Sequence, residues 1–350
     1  MSGRRNLAIA VATALTMTGA AVAQDLPETK LSIIGSFGTL NGFKLVEQPF
    51  WTTHIPEASG GKVTADITPL DQLNLQGPEV LRLLRLGTAD IVSSASGYVS
   101  SDVPALEGAD LPGIFPNLAT MRDALASYRP EMERLFEANF NSKLLGVWPT
   151  PPNVLFCREP VNSLADLKGR KIRSWSAGLN TIFEGVGATP VQVSFAETVP
   201  ALERGTVDCA PTGVLSGNNA RWWEVAKHLY PMGLGASFWV NAVNLDRWNA
   251  MSPELQAFIL AEVAKLEADL WAVTEKEAAE GRACNTGEGE CTLGVPGDMT
   301  YTDVTEEDRL ALLEVVEKTV VAEWADRCGE ECAQVWNDTI GAKLGIVAKP

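Results

Sequence analysis

Arg173 is the residue best placed to hold a ligand. It sits in Lys171-Ile172-Arg173-Ser174-Trp175, a short apolar-alternating run that predicts a strand, at that strand's carboxyl end. A guanidinium there can hold a carboxylate through two parallel, charge-assisted hydrogen bonds. Taken alone, an arginine is more often a solvated surface residue. Groups for bond-breaking chemistry are scarce. The chain has two histidines, His54 and His228, and no G-x-S-x-G, H-E-x-x-H, Walker A or complete G-x-G-x-x-G pattern. Asp90 and Asp208 could serve as acids or bases, but each follows a helix-ending glycine, where a capping or packing role fits better. Six cysteines and no C-x-x-C argue for disulfides rather than zinc. Cys157 with Cys209, Cys284 with Cys291 and Cys328 with Cys332 are the guessed pairs, among the fifteen pairings that spacing leaves open. No cofactor and no metal are expected.

An internal echo supplies the elements that position these residues. Glu79-Val-Leu-Arg-Leu-Leu-Arg-Leu-Gly87-Thr-Ala-Asp90 resembles Glu197-Thr-Val-Pro-Ala-Leu-Glu-Arg-Gly205-Thr-Val-Asp208. Each copy predicts an amphipathic helix, a glycine in the left-handed position that ends it, and a short strand. Strands at Leu31 to Gly35, Lys62 to Thr68, Lys171 to Trp175 and Val191 to Val193 flank the copies, with helices over Gly42 to Ala58 and Ala177 to Val186. Strand and helix alternate in both halves, which implies an α/β fold of two similar lobes with mostly parallel sheets. Ser194 and Glu197 predict a capping box, and Pro200 a kink in the helix that follows. After Ser252, the apolar positions Leu255, Phe258, Ile259, Val263, Leu266 and Leu270 mark one face of a helix running to Gly281. At 1.5 Å per residue it would span roughly 43 Å, enough to brace both lobes.

Composition bounds the setting. Arg4 and Arg5, an uncharged apolar run from Leu7 to Val22, and the small-residue pattern Ala21-Val22-Ala23 predict a signal peptide over residues 1–23. That run is shorter than the roughly 20 residues of a spanning helix. Export to the periplasm follows, as a monomer. The 46% hydrophobic content suffices for two cores. A net charge of −16, with no basic stripe, argues against nucleic acid and anionic lipid as partners.

In open parallel sheets a ligand sits beyond the strands' carboxyl ends. The segments there (Gly35 to Leu40, Ser93 to Tyr98, Trp148 to Asn153, Ser174 to Gly178 and Pro211 to Asn218) are rich in Ser, Thr, Asn, Gly and Trp. Trp148, Trp175, Phe195, Trp222, Trp223, Phe238 and Trp239 fall near strand ends. For any one of them core packing is the better expectation, but as a set they favour an apolar or aromatic ligand body.

One combination of motifs is specific. Asp166-Leu-Lys-Gly169-Arg-Lys-Ile-Arg173, with Gly187-Ala188-Thr189-Pro190, Phe195-Ala-Glu197, Ala201-Leu202 and Gly205-Thr-Val-Asp208, resembles the DctP-type solute-binding subunits of tripartite ATP-independent periplasmic (TRAP) transporters. The likeness covers nearly all of the chain after the leader and weakens beyond Cys284. It implies two α/β lobes joined by crossing strands and braced by a long helix, with lobe I at 24–150 plus 240–280, and lobe II at 151–239 plus 281–350, including the cysteine-bearing tail. It implies that Arg173 binds a substrate carboxylate and that the positions of Phe195, Thr212 and the loop Ser94 to Tyr98 contribute. The expected ligand contacts are therefore Arg173, Asn153, Phe195, Thr212, Trp148, Trp175, Ser94, Ser96, Tyr98 and Phe238.

The departures from the family pattern are informative. Many acid-binding members carry a second arginine where this chain has Asn153, which argues against a C4-dicarboxylate. Members that hold a 2-oxo acid through a metal use ligands near Pro152 and Pro211, which have no donor side chain. The expected function is capture of a small organic acid, an aromatic or apolar monocarboxylate, for delivery to a TRAP membrane permease. The alternatives are a receptor of the same fold serving a sensor kinase, a C4-dicarboxylate or 2-oxo acid binder and, more remotely, a periplasmic hydrolase or lyase.

Overall fold

The alternation of strands and helices produces two mixed sheets. The computed structural model describes residues 26–350; the expected leader, 1–23, lies outside the described residues. The strands are β1 (Thr29–Gly35), β2 (Val63–Pro69), β3 (Ile91–Ala95), β4 (Ser142–Pro149), β5 (Asn153–Cys157), β6 (Lys171–Ser174), β7 (Thr189–Gln192), β8 (Cys209–Gly213), β9 (His228–Tyr230), β10 (Phe238–Asn244) and β11 (Thr300–Tyr301). One sheet runs β2-β1-β3-β10-β4 and the other β11-β9-β5-β8-β6-β7. In each, three strands are parallel (β2-β1-β3 and β7-β6-β8) and the next two join through antiparallel pairings (β10-β4 and β5-β9); in the second sheet β11 adds a parallel edge strand beside β9. The fold class is the expected two-lobe α/β one. The sheets are mixed because each receives a strand whose chain arrives from the other.

The echo is real in three dimensions. Gly87 and Gly205 end their helices at φ 69° and 68°. The aspartates that follow do matching jobs just before their strands. Asp90 Oδ2 accepts the Ser32 N–H at 2.8 Å, and Asp208 Oδ2 accepts the Lys171 N–H at 2.8 Å. Each carboxylate thereby ties its strand to the parallel neighbour. They are structural groups, as expected.

Local expectations were corrected in two places. No capping box forms at Ser194. Its hydroxyl is buried and makes no hydrogen bond, and the helix begins four residues later, at Thr198–Glu203. Pro200 therefore lies in the first turn, where a missing N–H leaves no bond unmade and no kink is needed. The long helix is the other: Ser252 caps it, as expected, by accepting from the Leu255 N–H, but it continues past Gly281 to Thr286, giving 34 residues and about 51 Å. Gly281 does not stop the helix. It sits there because a Cβ would collide with Val214.

That helix joins the two sheets. Trp271 Nε1 donates to the Val147 carbonyl at 3.0 Å and Thr274 Oγ1 to the Pro149 carbonyl at 3.1 Å, both on β4. Further along, Asn285 Nδ2 donates to the Val214 carbonyl at 2.8 Å, just after β8. The C-terminal helices also touch both sides. Asp308 accepts from Leu164 N–H and the Tyr230 hydroxyl, while Trp324 and Trp336 donate to the carbonyls of Pro104 and Gly108. The three guessed disulfides are the three present. Cys157 and Cys209 face each other across β5 and β8 with Cα atoms 4.1 Å apart.

Besides the long helix, which carries the chain from β10 to β11, two short connections cross between the sheets, from β4 to β5 and from β9 to β10. The two connections run side by side. Thr150 N–H donates to the Ser237 carbonyl at 2.7 Å, and Asn153 N–H to the Gly235 carbonyl at 2.8 Å.

Candidate ligand-binding site

A cavity lies where the carboxyl ends of β1, β3, β6 and β8 meet the crossings, the position expected for an α/β sheet. It is lined by Phe37, Leu40, Ala95, Tyr98, Thr150, Asn153, Arg173, Trp175, Phe195, Thr212, Gly213, Ser216, Ser237 and Trp239. Arg173 is the one charged residue in that wall. Its free space is about 50 Å³, a few waters' worth at roughly 10–15 Å³ each.

Arg173 is built in, not solvated. It is 2% exposed. Nε donates to the Val193 carbonyl at 2.9 Å and Nη1 to the Pro211 carbonyl at 2.9 Å, which fixes the plane of the guanidinium. Among the described residues no carboxylate pairs with it, and Nη2 makes no hydrogen bond. The ring centroids of Trp175, Trp222 and Phe195 lie 4.5, 5.5 and 5.9 Å from Cζ. Burial pulls its pKa down to about 10, still well above neutrality. A buried, charged donor without a counter-ion is costly unless an anion arrives. Tyr98 adds a hydroxyl with no hydrogen-bond partner among the described residues. Burial pushes its pKa up to about 12, against the pull of Arg173, so it stays protonated and can donate.

Six of the ten expected contacts share this wall: Arg173, Asn153, Phe195, Thr212, Trp175 and Tyr98. The other four do not. Trp148 lines a smaller neighbouring space with Leu270, Thr274 and Glu277. Ser94 is buried in β3, with its hydroxyl on the Ala95 carbonyl. Ser96 donates to the Asp110 carboxylate at 2.7 Å, behind the wall. Phe238 points the other way because side chains alternate along a strand, and its neighbour Trp239 takes the cavity face. Phe37, Leu40, Thr150 and Ser216 were missed individually, although the strand-end segments holding them were marked. Ser237 carried no signal, since its segment follows the short β9.

A larger groove of about 740 Å³ lies between the helices Leu118–Phe140 and Pro253–Thr286. Its arginines are already neutralised: Arg122 pairs with Glu275 at 3.1 Å and Arg129 with Glu267 at 3.1 Å. Volume favours the groove, but of the arginines lining these two spaces Arg173 is the one without an ion pair among the described residues.

Buried acids near the cavity make the fold sensitive to pH. Burial raises Asp110 from 3.8 to about 8 and Glu277 from 4.5 to about 7. Glu47 and Glu107 are raised by burial as well. Each keeps its proton in the fold at pH values where the unfolded chain has lost it. For Glu277 and Asp110 the stabilisation is therefore full below the unfolded values and is lost as pH rises through about 7 and about 8, respectively. Thermal melts are expected to give a higher Tm at pH 5.5 than at pH 8.5. A flat or opposite trend would contradict this assignment.

Comparison with known proteins agrees with this architecture. The model of the family "bacterial extracellular solute-binding protein, family 7" (DctP) matches residues 46–324. The 2,3-diketo-L-gulonate-binding periplasmic protein YiaO of Escherichia coli is 28% identical over 51% of this chain and 55% of its own length. The chain thus spans about half the length of curated relatives it matches. Among solved structures, a Bordetella pertussis extracytoplasmic solute receptor binding pyroglutamic acid, DctP7, superposes with TM-score 0.79 at 19% identity, covering 89% of this chain and 99% of that one. A TRAP periplasmic solute-binding protein from Desulfovibrio salexigens with bound orotic acid gives 0.80 at 19% identity, covering 90% and 98%. At such identity the likeness is one of fold.

Proposed function

The chain belongs to the bacterial extracellular solute-binding protein family 7, the DctP family, and on that premise we propose that it captures a small organic acid in the periplasm. In this reading it passes the acid to a TRAP membrane permease and does so as a monomer. The observation that carries it is Arg173: buried, oriented by two carbonyls, and without a counter-ion. The ligand's carboxylate takes up Nη2 and the Tyr98 hydroxyl.

The ligand class we propose is a compact monocarboxylate with an apolar or ring-shaped body. Phe37, Trp175, Phe195 and Trp239 supply apolar faces, and Phe37 and Phe195 lie 4.7 Å apart. With no second cation in the wall, a second carboxylate would be buried unpaired. The small free volume favours one ring at most. The acids named for the Bordetella and Desulfovibrio proteins, pyroglutamic and orotic, are single rings bearing one carboxyl group, which supports this size.

No chemistry is needed. The two sheets, each with its helices, act as lobes that swing about the paired crossings, and ligand binding favours the closed form. Thermal-shift screening of the protein against mono- and dicarboxylic acids tests the proposal. Stabilisation by single-ring or apolar monocarboxylates is expected; stabilisation by C4-dicarboxylates alone would overturn the ligand class.

A further inference from the structure

Asn153 opens β5 at the point where the two crossings run together. Its side-chain Nδ2 donates to the Gly235 carbonyl at 3.1 Å and to Ser237 Oγ at 3.3 Å. An amide nitrogen has two hydrogens, and both are engaged. A backbone carbonyl only accepts, at any pH. Turning the amide over would set Oδ1 against the Gly235 oxygen, lone pair to lone pair, so the orientation is determined by the network. The Gly235 carbonyl itself is held by the Asn153 N–H at 2.8 Å. One polar atom is left over. Oδ1 accepts no hydrogen bond among the described residues, and Asn153 lines the cavity.

We infer that Asn153 Oδ1 reads the ligand as a hydrogen-bond acceptor, so that the site selects carboxylic acids that also carry an N–H or O–H donor. This rests on the reading of Arg173 as the carboxylate clamp. The two residues stand on β5 and β6 with β8 between them. At about 4.8 Å per strand, their backbones are roughly 10 Å apart, and both side chains reach inward. The gap suits a molecule with its donor a few bonds from its carboxylate: a lactam or amide acid, or a hydroxy acid. A ligand without the donor would leave Oδ1 dehydrated and unpaired when the site closes, which disfavours it at least about tenfold.

Titration calorimetry with matched acids tests this. Pyroglutamate against 3-oxocyclopentanecarboxylate, which keeps the ring carbonyl and replaces only the N–H by a methylene, and mandelate against phenylacetate, differ chiefly in the donor. In the native chain the donor-bearing member of a pair is expected to bind at least about tenfold more tightly. In Asn153→Leu that ratio falls toward one, while a thermal melt like that of the native chain and continued binding of the donor-free member show that the site is still folded. Equal affinities within each pair that binds, with binding still lost in Arg173→Ala, would overturn the inference and leave the proposed function standing. No binding by any of the four acids, or binding that survives Arg173→Ala, would overturn the reading of the site and this inference with it.

Discussion

Arg173→Ala is expected to abolish ligand binding, and Arg173→Lys is not expected to restore it. In the closed cavity the carboxylate would be buried with no cation to meet it, a loss of about 3–5 kcal/mol, or some hundred- to thousandfold or more in affinity. Lysine keeps the charge but lacks the planar fork. Its single nitrogen must stand in for the separate Nε and Nη1 that hold the Val193 and Pro211 carbonyls, and cannot keep both in place while also taking the position of Nη2. The variant should fold, because the guanidinium has no ion pair to lose and its removal relieves a desolvated charge. Calorimetry with the acid found by screening, beside a thermal melt, checks both statements. Micromolar affinity in a folded Arg173→Ala protein would show that the clamp lies elsewhere.

Trp222→Ala is expected to be the most damaging single change to stability beside the site. Trp222 is fully buried. Its ring lies 5.3 Å from Phe195 and 5.5 Å from Phe156, with the Arg173 guanidinium 5.5 Å away. Truncation leaves a void beneath the ligand cavity and should cost about 3–5 kcal/mol. Because Phe195 and Arg173 both rest on this ring, affinity should fall too, even where the variant remains folded. Urea unfolding measures the first effect and calorimetry at low temperature the second. A stability loss below about 1 kcal/mol would mean the site collapses around the void.

The two changes divide cleanly. Arg173 is expected to act on affinity with little effect on folding, since its energy is released only when an anion arrives. Trp222 acts on folding first and on binding through its neighbours.

Much of this protein was legible in one dimension because the relevant physics is local. A glycine in the left-handed conformation ends a helix wherever the helix occurs, so Gly87 and Gly205 marked equivalent units. The aspartates after them tie neighbouring strands in both lobes for the same reason. Arg173 could be picked out because a strand's carboxyl end is a place defined by the strand itself. Even the cysteine pairs followed short-range logic, two of them closing loops of a few residues. The Ser194 capping box failed because a pattern shows which bonds are available and not where the helix begins.

The sequence by itself determined the two-lobe α/β class, the place of Arg173 at a strand's carboxyl end and the long helix's apolar face. The tertiary structure decided what surrounds Arg173. Whether Phe238 or Trp239 faces the ligand depends on the register of β10 against β3 and β4, and a one-residue shift exchanges them. Whether Asn153 offers a donor or an acceptor depends on Gly235 and Ser237, more than eighty residues away and brought alongside only by the second crossing. Whether Arg173 is paired depends on every carboxylate in the fold being somewhere else. These are long-range facts, determined by how separate segments meet, and no spacing within one segment encodes them.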